Sequence, residues 1–192
     1  MENLKNKKVA ILATNGFEMS ELVSPLRTLQ KNGAKVDIIA PKLGKIKGWE
    51  NGDWAESVEV DKALDEVTSS DYDALVLPGG TLNPDKLRMD KKAINFIKTF
   101  FDDKKIVAAI CHGPQLLIDA EAVENRKLTS FHSIKKDLEN AGASWVDEEV
   151  VVDQGLITSR TPEDLSAFNR ALVEHLTESD IKEEVFPHGN SL

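Results

Sequence analysis

Cys111 is the only cysteine of the chain, and its surroundings predict a reactive thiol. It follows an apolar run and precedes His112, with small residues two positions before and two positions after it, at Ala109 and Gly113. A sharp strand-to-helix turn needs such small neighbours, and the helix N-terminus favours the nucleophilic thiolate form of cysteine. The pattern therefore predicts a nucleophile elbow at Cys111. A cysteine after four apolar residues also fits an inert core position, and both interpretations stay open.

Two other clusters follow apolar runs of strand length and are expected to meet Cys111. Glu18 comes shortly after the first run, and Gly79 and Gly80 come directly after residues 74–77. The carboxyl ends of parallel strands share one edge of a sheet, where ligands bind. Glu18 fits either an acid that stabilises a helix N-terminus or a carboxyl that hydrogen-bonds the sulfur. The glycine pair fits an ordinary turn or, with the amide after Cys111, an oxyanion hole.

The histidines give a weaker signal. Side chains of adjacent residues usually diverge, so a contact between His112 and Cys111 cannot be assumed from the sequence. His132, His175 and His188 have no motif around them and are expected at the surface. No Cys/His cluster has the spacing of zinc ligands, so we expect neither a metal nor a cofactor.

The hydrophobic pattern predicts an α/β fold. Four mostly continuous apolar runs are typical of strands buried on both faces of a parallel sheet; they lie at residues 9–13, 36–40, 74–77 and 106–110. Segments of helical period separate or follow them, at residues 22–29, 94–101 and 165–176. This alternation predicts a doubly wound sandwich. Residues 41–60, which carry two tryptophans, and residues 150–159 are predicted to form hairpins.

Composition restricts the function classes. The chain has 192 residues, is 41% hydrophobic and 30% charged, and carries a formal net charge of −9. This negative balance disfavours nucleic-acid and anionic membrane surfaces as partners. No apolar run is long enough to span a bilayer, and the first residues lack the features of a signal peptide. A single cysteine fits a reducing compartment, so we expect a cytoplasmic protein. We predict one domain at residues 1–177 and a loosely held polar extension at residues 178–192.

Several separated motifs resemble the PfpI-like intracellular protease family, which belongs to the superfamily of the parkinsonism-associated protein deglycase. They are Glu18, Pro78–Gly80 and the segment Ala109–Gln115, with further matches at residues 140–143, 149–153 and 159–165. The resemblance covers roughly residues 7–176 and looks closest to a bacterial stress-protein branch of deglycases. It implies a flavodoxin-like, class I glutamine amidotransferase-like fold, with a mostly parallel central sheet and helices on both faces. It also implies homodimers, some of which stack into hexamers.

The resemblance also implies roles for individual residues. Cys111 would be the nucleophile, His112 its neighbour in a peptidase mechanism, and Glu18 the carboxyl near the sulfur. Gly79, Gly80, His112 and Gly113 would bind the substrate or its oxyanion. Family peptidases complete a triad with a glutamate from an adjacent subunit, and Asp85 stands at the matching position here. Aspartate is one methylene shorter, which disfavours efficient peptide cleavage.

The leading hypothesis is a cofactor-independent, stress-related cysteine hydrolase of the deglycase or glyoxalase type. It would act on methylglyoxal or glyoxal, free or as early adducts on proteins or nucleotides, and release lactate or glycolate. One alternative is an intracellular cysteine peptidase. Another is a non-catalytic stress protein, either a redox sensor or a chaperone-like holdase, in which Cys111 is readily oxidised.

Overall fold

A computed structural model describes residues 4–185, and it describes side chains as far as residue 178. The strands are β1 (Lys8–Leu12), β2 (Phe17–Glu18), β3 (Lys35–Ala40), β4 (Gly44–Glu50), β5 (Asp53–Val60), β6 (Lys62–Ala63), β7 (Ala74–Leu77), β8 (Ile106–Ile110), β9 (Lys127–Leu128), β10 (Ser144–Trp145), β11 (Val150–Asp153) and β12 (Leu156–Ser159). The α-helices are α1 (Met19–Lys31), α2 (Leu82–Leu87), α3 (Lys91–Asp102), α4 (Gln115–Asp119), α5 (Lys135–Asn140) and α6 (Leu165–Val185). Short 3-10 helices lie at Leu64–Glu66, Ser69–Asp71, His132–Ile134 and Pro162–Asp164.

The centre of the molecule is a seven-stranded sheet in the order β11-β12-β8-β7-β1-β3-β6. Every neighbouring pair is parallel except β11 and β12. The four apolar runs correspond to β1, β3, β7 and β8, so the prediction of a mostly parallel α/β sheet is confirmed. The carboxyl ends of β1, β7, β8 and β12 therefore open onto one common edge.

Alternate residues of the strands pack against helices on opposite faces of the sheet, as the period of two requires. Val9 and Ile11 point to the face covered by α1 and α6, whereas Ala10 and Leu12 point to the face of α3 and α4. All four are fully buried. Burying an aliphatic side chain of this size contributes about 1.5–3 kcal/mol to the free energy of unfolding. Packing on both faces of the sheet therefore holds α1 and α4 in place against it.

Both predicted hairpins are confirmed. β4 and β5 pair antiparallel and turn at Asn51 and Gly52, and β11 and β12 turn at Gln154 and Gly155. All four turn residues have positive φ, as two-residue type I′ hairpin loops require. The first hairpin also pairs with β2 in a three-stranded sheet beside α1.

The helix α6 extends into the predicted C-terminal extension. α6 continues past residue 178 to Val185, so the expected boundary of the extension lies within a helix. The last part of that extension, residues 186–192, lies outside the described residues. The division into domain and extension stays a prediction. Among residues 4–185, no helix combines the length and apolar character that crossing a membrane requires.

Candidate active site

Cys111 directly follows β8 and has a φ of 62°, a left-handed conformation that residues other than glycine rarely adopt. Two backbone hydrogen bonds hold it there: its N–H donates to the Ser159 carbonyl at 3.1 Å, and its own carbonyl accepts the Phe131 N–H at 2.8 Å. Such a backbone conformation costs about 1–3 kcal/mol, so it persists only where surrounding contacts hold it in place. The result is a thiol at the sheet edge, in a residue that is 7% exposed.

A glycine after the cysteine allows this turn. A Cβ on Gly113 would lie 2.5 Å from the Leu77 carbonyl oxygen and 2.9 Å from that of Ile110. Only glycine fits so close to two backbone oxygens. The small residue that the sequence places two positions after Cys111 is therefore required by the neighbouring strand β7.

The carboxyl group beside the sulfur comes from Glu21, in the first turn of α1. Glu21 is fully buried, its Oε2 accepts the Gly79 N–H at 2.8 Å, and its side chain also hydrogen-bonds that of Cys111. Its Oε1 is buried and has no hydrogen-bond partner within the described chain. Glu21 is thus a fully buried carboxyl whose hydrogen-bond partners are the Gly79 amide and the Cys111 side chain.

Glu18, the residue that the sequence suggests for this role, lies elsewhere. It is the residue preceding α1, it is half-buried, and its Oε1 accepts a hydrogen bond from Ser20 Oγ at 3.4 Å. The structure thus places Glu21 rather than Glu18 against Cys111. The buried residues of α1 are Glu21, Leu22, Pro25 and Leu29. A charged residue within this apolar stripe is the sequence signal that would have identified Glu21.

The predicted oxyanion donors divide into two groups. The N–H groups of Gly80 and His112 hydrogen-bond the Cys111 sulfur. Those of Gly79 and Gly113 are already used, because the first donates to Glu21 and the second to the Ile110 carbonyl at 2.8 Å. Gly80 has a φ of 75°, and a Cβ there would collide with the Gly16 carbonyl oxygen. Two of the four predicted donors are thus directed to the sulfur, and the oxyanion role stays a prediction.

Asn83 holds the glycine pair, and sequence reasoning missed it. This residue is fully buried in α2. Its Nδ2 donates to the carbonyls of Pro78 at 2.9 Å and Gly79 at 3.1 Å, and its Oδ1 accepts the Thr14 N–H at 2.7 Å. One amide therefore ties the loop after β7 to the loop after β1. Only an isolated polar residue at the start of a short helix signals this role in the sequence.

His112 does reach the sulfur, which the sequence left open. Its Nδ1 lies 3.3 Å from Cys111 Sγ, and its Nε2 lies 3.1 Å from Ser133 Oγ. The imidazole stacks on Phe131 with ring centroids 4.7 Å apart. Burial lowers the pKa of His112, so the ring is neutral at pH 7. A neutral imidazole beside a thiol can accept its proton.

The electrostatics of the thiol differ from the sequence-based expectation. Burial raises the pKa of Cys111, and the charge of an ionised Glu21 raises it further, while the N–H groups of Gly80 and His112 lower it. The sequence predicts the opposite direction from a helix N-terminus. Desolvation outweighs that dipole because the sulfur is enclosed and α4 is only five residues long.

Glu21 is strongly perturbed as well. Burial raises its pKa to about 8, against the lowering effect of the hydrogen bonds from Gly79 and with Cys111. At pH 7 the carboxyl is therefore protonated and can donate a hydrogen bond to the sulfur. Thiol and carboxyl are both protonated, because enclosing two negative charges side by side would be costly.

Asp85 lies in the first turn of α2 and is exposed. Its participation across a subunit boundary stays a prediction. Within the described residues, no group of three or more His, Cys, Asp or Glu side chains is placed to hold a metal ion.

The chain is an α/β protein with a mostly parallel sheet and helices on both faces. Its cysteine lies at the carboxyl edge of the central strands, which is where proteins of this class bind ligands. A family model for the DJ-1/PfpI family matches residues 7–175, and the chain belongs to that family. General stress protein 18 of Bacillus subtilis is 49% identical over 165 residues, covering 85% of this chain and 94% of that protein. Protein/nucleic acid deglycase 2 of Escherichia coli is 49% identical over 166 residues, covering 86% and 95%.

A solved structure agrees with this assignment. The crystal structure of Drosophila melanogaster DJ-1beta superposes with a TM-score of 0.82 at 27% sequence identity, and the match covers 94% of this chain and 96% of that one. The fold predicted from the sequence is thus confirmed by the sheet topology and by this similarity.

Proposed function

We propose that the protein is a cofactor-independent cysteine enzyme that converts methylglyoxal or glyoxal, free or released from early adducts, into lactate or glycolate. One observation carries the proposal: the Cys111 sulfur lies between a buried carboxyl, Glu21, and a neutral imidazole, His112. The deglycase name of the Escherichia coli relative supports the same class of activity.

The first step is addition of Cys111 to the aldehyde carbon. Because burial raises the pKa of the thiol, it needs a base during attack, and His112 Nδ1 at 3.3 Å is suited to take the proton. As the S–C bond forms, the carbonyl oxygen receives the electron pair of the C=O bond. The N–H groups of Gly80 and His112 stabilise that oxyanion. Protonation of the oxygen gives a thiohemiacetal.

The second step moves a proton between the two carbonyl carbons. The proton on the former aldehyde carbon is removed and one is returned to the neighbouring carbon, which converts the thiohemiacetal into a thioester of lactate. Glu21 and His112 are the titratable groups at the sulfur that can exchange this proton. Water then hydrolyses the thioester, so methylglyoxal plus water becomes lactate without an external oxidant or reductant.

Activity on adducts needs no separate binding site for the modified protein or nucleotide. Early adducts of methylglyoxal with amines and thiols equilibrate with the free aldehyde. Removal of the aldehyde therefore drains the adducts by mass action. The formal net charge of −9 also makes a large nucleic-acid contact unfavourable.

The experiment is lactate formation from methylglyoxal by the wild type and by Cys111→Ala. We expect the variant to lose the activity, because Cys111 is the only cysteine of the chain. Equal rates for the two proteins would contradict an enzymatic role for Cys111 and leave the stress-sensor alternative.

A peptidase is the second candidate, and the contact between His112 Nδ1 and Cys111 Sγ favours it. Hydrolysis of a fluorogenic peptide by the wild type, Cys111→Ala and Asp85→Asn tests it in parallel. Peptide cleavage that is lost in Cys111→Ala and in Asp85→Asn, with no lactate formed, would support a peptidase that needs an adjacent subunit. We expect a homo-oligomer in the cytoplasm under either function.

A further inference from the structure

We infer that Ser133 is the positioning residue for His112, so that the hydrogen-bonded series Cys111–His112–Ser133 is complete within one chain. This inference rests on the proposed function, because it assigns His112 as the base that takes the thiol proton. Ser133 belongs to the 3-10 helix His132–Ile134, more than twenty positions after the cysteine, and no motif of the sequence points to it.

Three contacts fix the imidazole. Nδ1 lies 3.3 Å from Cys111 Sγ, Nε2 lies 3.1 Å from Ser133 Oγ, and the ring face stacks on Phe131 with an interplanar angle of 24°. Stacking prevents the ring from tilting, and the two hydrogen-bonded nitrogens prevent it from rotating. The Phe131 N–H also donates to the Cys111 carbonyl at 2.8 Å, so one segment holds both the cysteine and the histidine.

In the inferred role, His112 carries its hydrogen on Nε2, and Ser133 Oγ accepts the hydrogen bond. A neutral imidazole carries its hydrogen on one nitrogen only. When Nε2–H donates to Ser133 Oγ, the lone pair of Nδ1 is left facing the thiol. The thiol proton moves to Nδ1 as the S–C bond forms, and the resulting imidazolium keeps its Nε2–H bond to Ser133. This is the orienting role that a carboxylate performs in a catalytic triad.

The arrangement differs from the one that the family resemblance implies. There, the acidic residue comes from an adjacent subunit, and Asp85 is exposed on α2 of this chain. Here Nε2 already has a partner in the same chain. A hydroxyl carries no charge, so it orients the imidazole without raising its basicity as a carboxylate would.

The test combines kinetics with a tautomer measurement. Lactate formation from methylglyoxal is compared for the wild type, Ser133→Ala, Ser133→Thr, His112→Gln and the double variant His112→Gln/Ser133→Ala. The control is Ser70→Ala, because Ser70 is also an exposed serine with a hydroxyl hydrogen bond, at 2.7 Å to Thr68, but precedes β7 at the opposite sheet edge. Nitrogen-15 NMR of the histidine rings reports the tautomer of His112.

We expect Ser133→Ala to lower kcat about tenfold with little change in KM, Ser133→Thr to restore most of it, and Ser70→Ala to match the wild type. In the His112→Gln background, removal of Ser133 should have no further effect. The NMR spectrum of Ser133→Ala should show His112 with a mixed tautomer. Wild-type kcat and an unchanged tautomer in Ser133→Ala would overturn the inference, whereas activity that survives Cys111→Ala would overturn the proposed function instead.

Discussion

Two glutamates at the start of α1 show how different degrees of burial separate the chemistry of identical groups. Glu18 directly precedes α1 and is half-buried, with Ser20 as its hydrogen-bond partner. Glu21 lies one helical turn further on, fully buried beneath the glycine loop and beside Cys111. Burial raises the pKa of both carboxyls, and that of the enclosed Glu21 reaches about 8. Glu21 is therefore a proton donor at neutral pH.

The largest effect should come from replacing the enclosed carboxyl. Glu21→Gln keeps the size of the side chain but removes its exchangeable acid proton, so we expect lactate formation from methylglyoxal to fall about 10²-fold or more. Steady-state kinetics at pH 7 provides the measurement. Circular dichroism controls for folding, and a rate within threefold of the wild type would show that the carboxyl takes no part in proton transfer.

Adding a methyl group at Gly79, next to Cys111 and Glu21, should lower both the stability and the activity of the protein. A Cβ on Gly79 would lie 2.7 Å from Glu21 Oε2 and 2.8 Å from Cys111 Cβ, so Gly79→Ala must displace one of them. We expect a loss of about 1–3 kcal/mol in the free energy of unfolding, measured by urea titration, together with a large loss of activity.

The matched control for Gly79→Ala is Gly52→Ala, in the β4–β5 turn. No atom lies within 4 Å of a Cβ there, and only its φ of 83° opposes the substitution. We expect that variant to lose some stability but to keep full activity. Normal activity in both variants would mean that the contacts around Gly79 are not needed for catalysis.

The pH dependence of stability should separate the two carboxyls. Glu21 has a pKa of about 8 in the folded protein, against 4.5 for an unperturbed glutamate. The folded protein keeps a proton that the unfolded chain releases, so this group's contribution is full below pH 4.5 and is lost as pH rises through about 8. The slope is at most ~1.4 kcal/mol per pH unit.

Urea titrations between pH 4.5 and 8.5 test this contribution. Wild type minus Glu21→Gln should give a difference in unfolding free energy that declines with pH, while other titrating groups cancel. The corresponding difference for Glu18→Gln should be much flatter. Equal slopes for the two differences would contradict the assignment of the raised pKa to Glu21.

The smallest effect should come from the half-buried carboxyl of Glu18. Glu18→Gln removes a half-buried charge that does not lie against Cys111, and we expect kcat for lactate formation to change less than about threefold. A decrease in kcat as large as that of Glu21→Gln would show that Glu18, as the sequence suggested, is the catalytic carboxyl.

Most of the fold, but only part of the candidate site, can be predicted from the sequence. Continuous apolar runs and turn residues predicted the parallel sheet and both hairpins, because strand burial and type I′ turns depend on local composition. The strand ends predicted that Gly80, Cys111 and a carboxyl meet at one edge. The identity of that carboxyl depends on how α1 is rotated against the sheet, and this rotation is set by packing with Leu22 and Leu29 rather than by local sequence.

Two further contributors lie in segments that the motif does not include. Asn83 and Ser133 act through hydrogen bonds made across the fold, with separations of 69 positions from Asn83 to Thr14 and 21 positions from Ser133 to His112. Hydrophobic periodicity and spacing carry no information on such pairs. The direction of the thiol pKa was missed for a related reason, since desolvation depends on the complete enclosure of the sulfur.

The central claim is that Glu21 is a protonated carboxylic acid at neutral pH, hydrogen-bonded to Cys111. Infrared difference spectroscopy detects the C=O stretch of such an acid directly. We predict a carboxylic-acid band at pH 7 that disappears as pH rises through about 8, is absent in Glu21→Gln and persists in Glu18→Gln. A fully ionised carboxylate at Glu21 at pH 7, or a band lost in Glu18→Gln but kept in Glu21→Gln, would contradict the account.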